Sequence, residues 1–256
     1  MIDLTISNDI AEVVLNAPAK LNALNADDLG ELSEAYLKAE RADVRALVLR
    51  GEGRGFCAGR DISAVDPAHD DVDAYLGQRA MSLFRQMAAF PAPTFAAVHG
   101  ACLGVGLGLA IATDVVYVAE NAKVGSPFAN LGATLDSGGH ALFYERLGAH
   151  RTLDLIYTGE MMSGAEAVTA GLFSRSVGPD ELLDFTMERV NRVARGATQA
   201  YMASKALVAQ LRDGKAGLWE SMAAESGEQA RLCSTEDYAE GFAAFQEKRP
   251  PRFRGA

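Results

Sequence analysis

The sequence is short of basic residues and of long apolar runs, and each shortage excludes a class of protein. Lys and Arg number 24 against 34 Asp and Glu, which gives a formal net charge of −10. This charge disfavours nucleic acid or an anionic membrane as the main partner, although a local basic rim remains compatible with an anionic small molecule. The most apolar region, residues 94–118, is interrupted by His99, Asp114 and several glycines, so we expect no membrane span.

Cysteines are also few. The three of them, Cys57, Cys102 and Cys233, are odd in number and lack metal-ligand spacing. We therefore expect reduced thiols in a cytoplasmic protein that holds no metal. The first seven residues alternate like a strand and lack the basic start and apolar block of a signal peptide.

Strand-like and helix-like patterns alternate over the first two-thirds of the chain. Residues 4–7 and 11–15, joined at Asn8-Asp9, predict a β-hairpin, and Asn25 is the expected N-cap of an amphipathic helix that ends at Arg41. Further strands are predicted at 44–49, 94–98 and 115–119, with helices at 74–90 and 103–112. This order implies a parallel sheet with crossover helices.

Helical patterns dominate after residue 140. Helices are predicted at 141–148, 151–158, 164–171, 179–195, 198–212 and 216–232. We therefore divide the chain into a mixed α/β core, residues 1–195, and a C-terminal helical region, residues 196–256, of the same functional domain.

Two glycine-rich segments each follow an apolar strand, at residues 51–59 and 99–108. Both read G-x-G-x-G, so they lack the G-x-G-x-x-G spacing of a dinucleotide-binding loop, and no Walker A lysine follows either of them. Glycines can instead turn backbone N–H groups toward a ligand, and the second segment also opens a helix. The pattern alone leaves two functions open, convergence on an oxygen that gains negative charge or simple close packing.

A serine-protease interpretation fails on spacing. Asp136-Ser-Gly-Gly resembles the nucleophile loop of that class, but Leu135 stands where the motif needs glycine. His99 and Ser137 are also only 38 residues apart, too few for the two-barrel fold that separates those groups.

Four segments, in order and nearly end to end, resemble those of the enoyl-CoA hydratase/isomerase (crotonase) superfamily. They are Leu15-Asn-Ala-Pro-Ala-Lys-Leu-Asn-Ala-Leu, Phe56-Cys-Ala-Gly-Arg-Asp-Ile, Ala97-Val-His-Gly-Ala-Cys-Leu-Gly-Val-Gly and Glu240-Gly-Phe-Ala-Ala-Phe-Gln-Glu-Lys-Arg. The resemblance implies an α/β fold, the crotonase (ClpP-like) spiral of β-β-α turns. It also implies a C-terminal helical trimerisation region and a homotrimer or dimer of trimers.

The resemblance further implies a site for an acyl-CoA substrate, with coenzyme A as part of the substrate and no separate cofactor. The backbone N–H groups of Ala58 and Val105 would form an oxyanion hole for the thioester enolate. The implied substrate or CoA contacts are Lys20, Leu21, Phe56, Ala58, Gly59, Asp61, Ile62, Phe128, Phe245 and Lys248, the last two open to contribution from a neighbouring subunit. We expect Asp61 to fix its loop as a hydrogen-bond acceptor rather than to act as an acid or base.

Departures from the family pattern indicate the reaction. Hydratases that resemble this chain use two glutamates, and Gly108 and Phe128 stand at those positions. Hydration needs one group to activate water and another to supply a proton, so this activity is disfavoured. Residues 131–139, LGATLDSGG, resemble the L-G-L-x-P-D-x-G-G segment of isomerases of the phenylacetate-degradation type, which makes Asp136 the expected acid/base. Leu135 replaces the usual proline, and a turn residue is the bland interpretation of Asp136.

The leading hypothesis is therefore an enoyl-CoA isomerase, and four alternatives remain. A hydratase or lyase would need the missing glutamates, and a dehalogenase-type enzyme would need a histidine in helix 74–90, which has none. An RNA-binding relative would need a lysine-rich helix, whereas residues 25–41 carry five acidic residues against one lysine and one arginine. A catalytically silent CoA-binding homologue is the fourth. His140 is expected on a helix surface, and His99 is expected to pack at its strand end.

Overall fold

The computed structural model describes residues 1–63, 65–66, 69–214, 227, 229 and 231–256, apart from the side chains of Asn130, Leu131 and Phe245. The strands are β1 (Ile2–Ser7), β2 (Ile10–Leu15), β3 (Ala46–Gly51), β4 (Thr94–Val98), β5 (Ala101–Leu103), β6 (Val115–Ala119), β7 (Lys123–Gly125), β8 (Met162–Ser163) and β9 (Arg175–Val177). The helices are α1 (Ala26–Arg41), α2 (Met81–Ala88), α3 (Val105–Ile111), α4 (Gly139–Thr158), α5 (Gly164–Thr169), α6 (Leu182–Ala194), α7 (Thr198–Gly214) and α8 (Glu236–Glu247). A π-helical segment, Asp73–Ala80, leads directly into α2.

The predicted hairpin starts the main sheet. β1 and β2 pair antiparallel through a two-residue turn in which Asn8 and Asp9 both have positive φ, the type I′ conformation that these residue types favour. From β2 onward the strands of this sheet are parallel, in the order β1-β2-β3-β4-β6-β9. The predicted parallel sheet is thus confirmed.

Helix α1 packs against this sheet. Its sequence supplies both an N-terminal cap and an apolar face. The Asn25 side chain accepts hydrogen bonds from the N–H groups of Asp27 and Asp28, and the Asp28 carboxylate accepts one from the Asn25 N–H. This capping box is worth roughly 0.5–2 kcal/mol. One face of the helix, which includes Leu29, Leu32 and Tyr36, is buried in the core. The expected cap is confirmed.

A second sheet, β5-β7-β8, is absent from the sequence prediction. Its strands have two or three residues, too few to show an alternating pattern. The helix predicted from Leu103 consequently begins at Val105, since residues 101–103 form β5.

Helices α4 to α7 follow the predicted segments, whereas α8 (Glu236–Glu247) was not predicted. α4 contains a break at Gly148 (φ 73°), which separates the predicted helices 141–148 and 151–158. α7 is fixed to the amino end of the sheet by the Lys205 ammonium, which lies 2.8 Å from an Asp114 carboxylate oxygen and also donates to the Ala92 carbonyl oxygen. The predicted helix 216–232 lies almost wholly outside the described residues, and the boundary at 195/196 stays a prediction. Within the described residues, no helix is long and apolar enough to cross a membrane.

The buried amide of Asn22 connects the turn after β2 to the first glycine-rich loop. Its Oδ1 accepts a hydrogen bond from the Ala17 N–H at 2.8 Å, and its Nδ2 donates to the carbonyl oxygens of Glu52, Gly55 and Phe56 at 3.0, 2.8 and 3.2 Å. Asn22 is fully buried and has a positive φ of 57°. It therefore satisfies polar groups of two loops that would otherwise be buried without partners.

Replacing Asn22 should destabilise the fold. We expect Asn22→Ala to cost about 2–4 kcal/mol, because four backbone groups lose a partner in two buried and two partly buried hydrogen bonds, and to lower Tm by about 5–10 °C. Thermal unfolding followed by circular dichroism measures this change. Asn16→Ala, which removes an exposed amide bonded to Asp3, is the matched control and should shift Tm by less than about 2 °C.

Candidate active site

The two glycine-rich segments lie side by side and pair through their backbones. The Phe56 N–H donates to the His99 oxygen at 2.7 Å, the Cys57 N–H donates to the Ala101 oxygen at 2.8 Å, and the Leu103 N–H donates back to the Cys57 oxygen at 3.0 Å. A Cβ atom on Gly106 would lie only 2.4 Å from the Cys57 oxygen, so glycine is required there. The two glycine-rich segments therefore converge, and close packing at Gly106 contributes to this convergence.

The Val105 N–H is a candidate donor at this junction. Val105 is 1% exposed and opens α3. Within the described residues, no acceptor lies in hydrogen-bonding range of its N–H group. Gly59, with a φ of 97°, packs against it, since a Cβ on Gly59 would lie 3.6 Å from the Val105 nitrogen and 2.8 Å from the Leu103 oxygen. The start of α3 and the loop beside Ala58 therefore form one small surface.

The Ala58 N–H differs from expectation. It donates to the Leu21 carbonyl oxygen at 2.9 Å, so in this structure it is not a free donor. Leu21 reaches this position because its backbone is left-handed, with a φ of 51°. Ala58 stays a predicted oxyanion donor only if this bond is exchanged for, or shared with, the substrate oxygen.

Asp136 lies in a tight turn. The Gly139 N–H donates to the Asp136 carbonyl oxygen at 2.9 Å, and Ser137 and Gly138 between them have φ values of 54° and 83°, as in a type I′ turn. Leu135, which replaces the expected proline, is buried, and its side chain packs where a Cβ on Gly139 would stand. An apolar contact thus anchors the loop that proline was expected to stiffen.

The Asp136 side chain is more than a turn residue. Its Oδ1 atom is buried and has no hydrogen-bond partner among the described residues, and the same is true of the Ser137 hydroxyl. Burial raises the pKa of Asp136, with partial offsets from Arg60 and His140. A carboxylate whose pKa is raised holds a proton more readily than an ordinary one, which favours a role in proton transfer.

Arg60 and Tyr75 complete the polar surroundings of Asp136, and sequence analysis missed both. Arg60 Nη1 donates to an Asp70 carboxylate oxygen at 2.8 Å, and its guanidinium lies 4.3 Å from the centre of the Tyr75 ring. The Tyr75 hydroxyl donates to the Leu24 oxygen at 2.7 Å. Arg60 directly follows the first glycine-rich segment, and that position between Gly59 and Asp61 was the available signal.

Aromatic rings occupy the space around the positions expected for hydratase glutamates. A Cβ on Gly104 would lie 2.7 Å from the tip of the Phe128 ring. A Cβ on Gly108 would lie 2.7 Å from both the tip of the Phe84 ring and the Ser137 Cβ. The side of the site between α3 and the Asp136 turn is therefore largely apolar. Phe84 was a further miss, although it lies in the predicted helix 74–90.

The expected CoA contacts from the first loops lie close together. Lys20 Nζ is 3.1 Å from an Asp28 carboxylate oxygen and 3.3 Å from one of Asp61. The other Asp61 oxygen accepts a hydrogen bond from the Ser63 hydroxyl at 2.6 Å, so Asp61 fixes its loop as expected. Ile62, next to it, is 51% exposed. Contact of these residues with CoA stays a prediction.

Phe56 is completely buried, so its side chain packs in the core. Contact of this residue with CoA stays a prediction. Gly59 is also buried, as the close approach to Leu103 requires. Lys248 is exposed beyond α8, and its contact with CoA stays a prediction, whereas the Phe245 side chain lies outside the described residues.

Other reactive side chains near the loops are inert or peripheral. Burial raises the pKa of the Cys57 thiol to about 12, so this neighbour of Ala58 remains a thiol rather than a nucleophilic thiolate. Cys102 is also a buried free thiol, and Cys233 is an exposed one. His99 Nε2 lies 2.9 Å from the Gly53 oxygen, and His140 is exposed on α4 as expected.

Comparisons with known proteins agree with this geometry. The family model described as enoyl-CoA hydratase/isomerase matches residues 5–256, and the chain belongs to this family, the crotonase superfamily of enzymes, which act on acyl-CoA substrates. The chain is 38% identical to a protein of Rhizobium meliloti named probable enoyl-CoA hydratase, over 94% of this chain and 93% of that one. It is 33% identical to the 2,3-dehydroadipyl-CoA hydratase of Escherichia coli, over 95% and 94%. A solved structure of an enoyl-CoA hydratase from Bacillus anthracis superposes with a TM-score of 0.90 at 26% identity, over 100% and 99% of the two chains. The fold is therefore of the crotonase type, as expected.

The burial of Asp136 predicts a pH-dependent effect on stability. The folded-state pKa of Asp136 lies above the ordinary value of 3.8. Ionisation of Asp136 therefore lowers the free energy of unfolding at pH values above that folded-state pKa, and it has no effect below about pH 3.8. Asp136→Asn should therefore unfold at a higher temperature than the wild type at pH 7.5, and the difference should shrink as the pH falls toward 4. Calorimetry at several pH values measures the difference. Asp180→Asn, at an exposed position, should show no such trend, and a pH-independent difference for Asp136→Asn would contradict the assignment.

Proposed function

We propose that this enzyme is an enoyl-CoA isomerase that shifts a carbon–carbon double bond in an acyl-CoA thioester, with Asp136 as the acid/base. The observation that carries the proposal is a half-buried carboxylate of raised pKa, Asp136, in a turn whose next residue, Ser137, packs against Gly108, the position where hydratases would carry a glutamate. Phe128 at the second glutamate position supports the same conclusion. One carboxylate in an apolar surrounding is enough for a double-bond shift but not for hydration.

The thioester oxygen would bind at the junction of the two glycine-rich segments. The Val105 N–H is the first donor, and the Ala58 N–H becomes the second when the thioester oxygen shares it with the Leu21 oxygen. Both donors stabilise the negative charge that develops on the oxygen as the enolate forms. Each oxyanion donor is worth roughly 10²–10³ in rate in enzymes of this kind.

The reaction then needs only Asp136. Its carboxylate removes a proton from C2 of a 3-enoyl thioester, and the electron pair of that C–H bond moves into a dienolate whose charge rests on the thioester oxygen. The protonated Asp136 returns the proton to C4, the C2–C3 bond becomes the double bond, and the thioester carbonyl reforms. Phe84 and Phe128 limit the access of water that would compete with this transfer.

The names of the relatives favour hydration as the second candidate function, since most are called hydratases. The residues of this chain argue for the isomerase within the same family. We further propose a ring-derived or medium-chain acyl group, as the resemblance to isomerases of phenylacetate degradation implies. A cytoplasmic homotrimer or dimer of trimers, with Lys248 and Phe245 of one subunit near the CoA of another, completes the proposal.

Asp136→Asn tests the assignment directly. We expect this variant to lose about 10²–10⁴-fold in kcat on a 3-enoyl-CoA, because the amide can neither accept nor return the proton. The conversion is followed by separating 3-enoyl-CoA and 2-enoyl-CoA chromatographically. The control, Asp180→Asn, should keep the wild-type rate. Near wild-type turnover by Asp136→Asn, or a faster hydration of 2-enoyl-CoA than isomerisation by the wild type, would end the isomerase assignment.

Arg60 should influence the pH dependence of the same reaction. Its positive charge lowers the pKa of Asp136, so Arg60→Gln should raise that pKa. Because the proton-abstracting form is the carboxylate, the acid limb of the kcat/KM profile should move to higher pH in Arg60→Gln. Arg79→Gln, an exposed change on the π-helical segment, is the control. An unmoved acid limb in Arg60→Gln would show that Arg60 does not act on Asp136.

A further inference from the structure

Three segments meet at Gly108: α3, the Asp136 turn and α2. A Cβ atom at this position would lie 2.7 Å from the Ser137 Cβ, 3.0 Å from the Ser137 carbonyl oxygen and 2.7 Å from the tip of the Phe84 ring. Real Cβ atoms essentially never approach other heavy atoms below 3.0 Å. Two of these three atoms belong to the residue that follows Asp136, and one of those is backbone.

The backbone of Gly108 does not itself require glycine. Gly108 lies inside α3 and is not among the residues with positive φ, so alanine would be the better helix former there. Its N–H donates to the Gly104 oxygen at 3.0 Å as in a regular helix. The need for glycine at 108 therefore comes from its neighbours, and chiefly from the Asp136 turn.

The turn has little freedom to move away. Ser137 already holds a φ of 54°, which is unfavourable for a residue with a Cβ, and Gly138 follows with 83°. Leu135 before the turn is buried against Gly139, which begins α4. A side chain at 108 would thus have to displace the segment that carries Asp136, or displace α2 at Phe84.

We propose that Gly108 is a positioning residue for Asp136, and that a side chain at 108 and the Asp136 turn exclude each other. The inference rests on the proposed function and deepens it. Gly108 does more than replace a hydratase glutamate. It leaves the space in which the turn that carries Asp136, the single acid/base, is held. This site is therefore committed to substrates that one carboxylate can convert, 3-enoyl thioesters, and restoring a glutamate at 108 would remove the turn rather than add a second acid.

The test measures isomerisation of a 3-enoyl-CoA and inhibition by free CoA in Gly108→Ala. We expect kcat to fall by about 10–100-fold, the loss typical of a reacting group misplaced by roughly 1 Å. The inhibition constant of CoA should stay within about twofold, since a change confined to the Asp136 turn leaves the binding energy of the CoA part unchanged. Gly30→Ala is the matched control, because Gly30 also lies in a helix and a Cβ there meets no atom within 4 Å; it should keep the wild-type rate.

Two second-site changes separate the turn from the helix. Ser137→Gly removes the Ser137 Cβ and should restore most of the kcat lost in Gly108→Ala, relative to Ser137→Gly alone. Phe84→Leu removes the tip of the ring and should not. If Gly108→Ala alone fails to fold, the comparison of Gly108→Ala/Ser137→Gly with Ser137→Gly replaces it, and rates within about threefold are expected because the tightest contact with the turn is then gone.

The inference is overturned by a kcat within threefold of wild type for Gly108→Ala, by a parallel loss of CoA affinity, or by any loss that Ser137→Gly does not restore. Its failure is distinct from that of the proposed function. An active Asp136→Asn variant would sink the isomerase assignment, whereas an inactive Asp136→Asn beside a normal Gly108→Ala would sink only the role of Gly108.

Discussion

Three backbone hydrogen bonds between the two glycine-rich segments determine the position of everything else in the site. They run from Phe56 and Cys57 to the segment 99–103 and back, and they bring the start of α3 beside the loop of Ala58. Backbone bonds make the arrangement insensitive to most side chains, but they demand glycine wherever the two segments touch, as at Gly106. Asn22 extends the same constraint outward, since its buried amide joins the turn after β2 to the first segment.

In the proposed mechanism the backbone binds the oxyanion, whereas the side chains around it select the chemistry. The Val105 N–H lies at the junction without an acceptor among the described residues, while the Ala58 N–H is paired with Leu21. Buried N–H groups are nearly always paired, so the donor beside Leu21 is satisfied within the fold and must be shared to serve a substrate. Phe128 packs beside Gly104, and Phe84 and the Asp136 turn pack beside Gly108, so one acid and two rings lie along α3, a composition that fits the proposed proton transfer.

Sequence reasoning reached the elements whose signals are local. The Asn8-Asp9 turn and the Asn25 cap are short-range patterns with a physical mechanism, and the structure confirms both. It did not reach β5, β7 and β8, which are too short to show a period, or the roles of Arg60 and Phe84, which depend on contacts between distant segments. The complete burial of Phe56 was also not predicted, because a motif does not show which side of the chain each residue faces. The bond from Ala58 to Leu21 was equally invisible, because it depends on a left-handed backbone at Leu21.

The contact between Gly108 and Ser137 has a consequence for how such a site can change over generations. If the turn and a side chain at 108 compete for one space, the order in which the two changes occur is fixed. A chain with a large residue at 108 must first become glycine there, and pass through a form with neither acid in place, before a turn like that of Asp136 can settle. The reverse change meets the same obstacle. One kind of site can therefore become the other only through paired substitutions, or through a second copy of the gene.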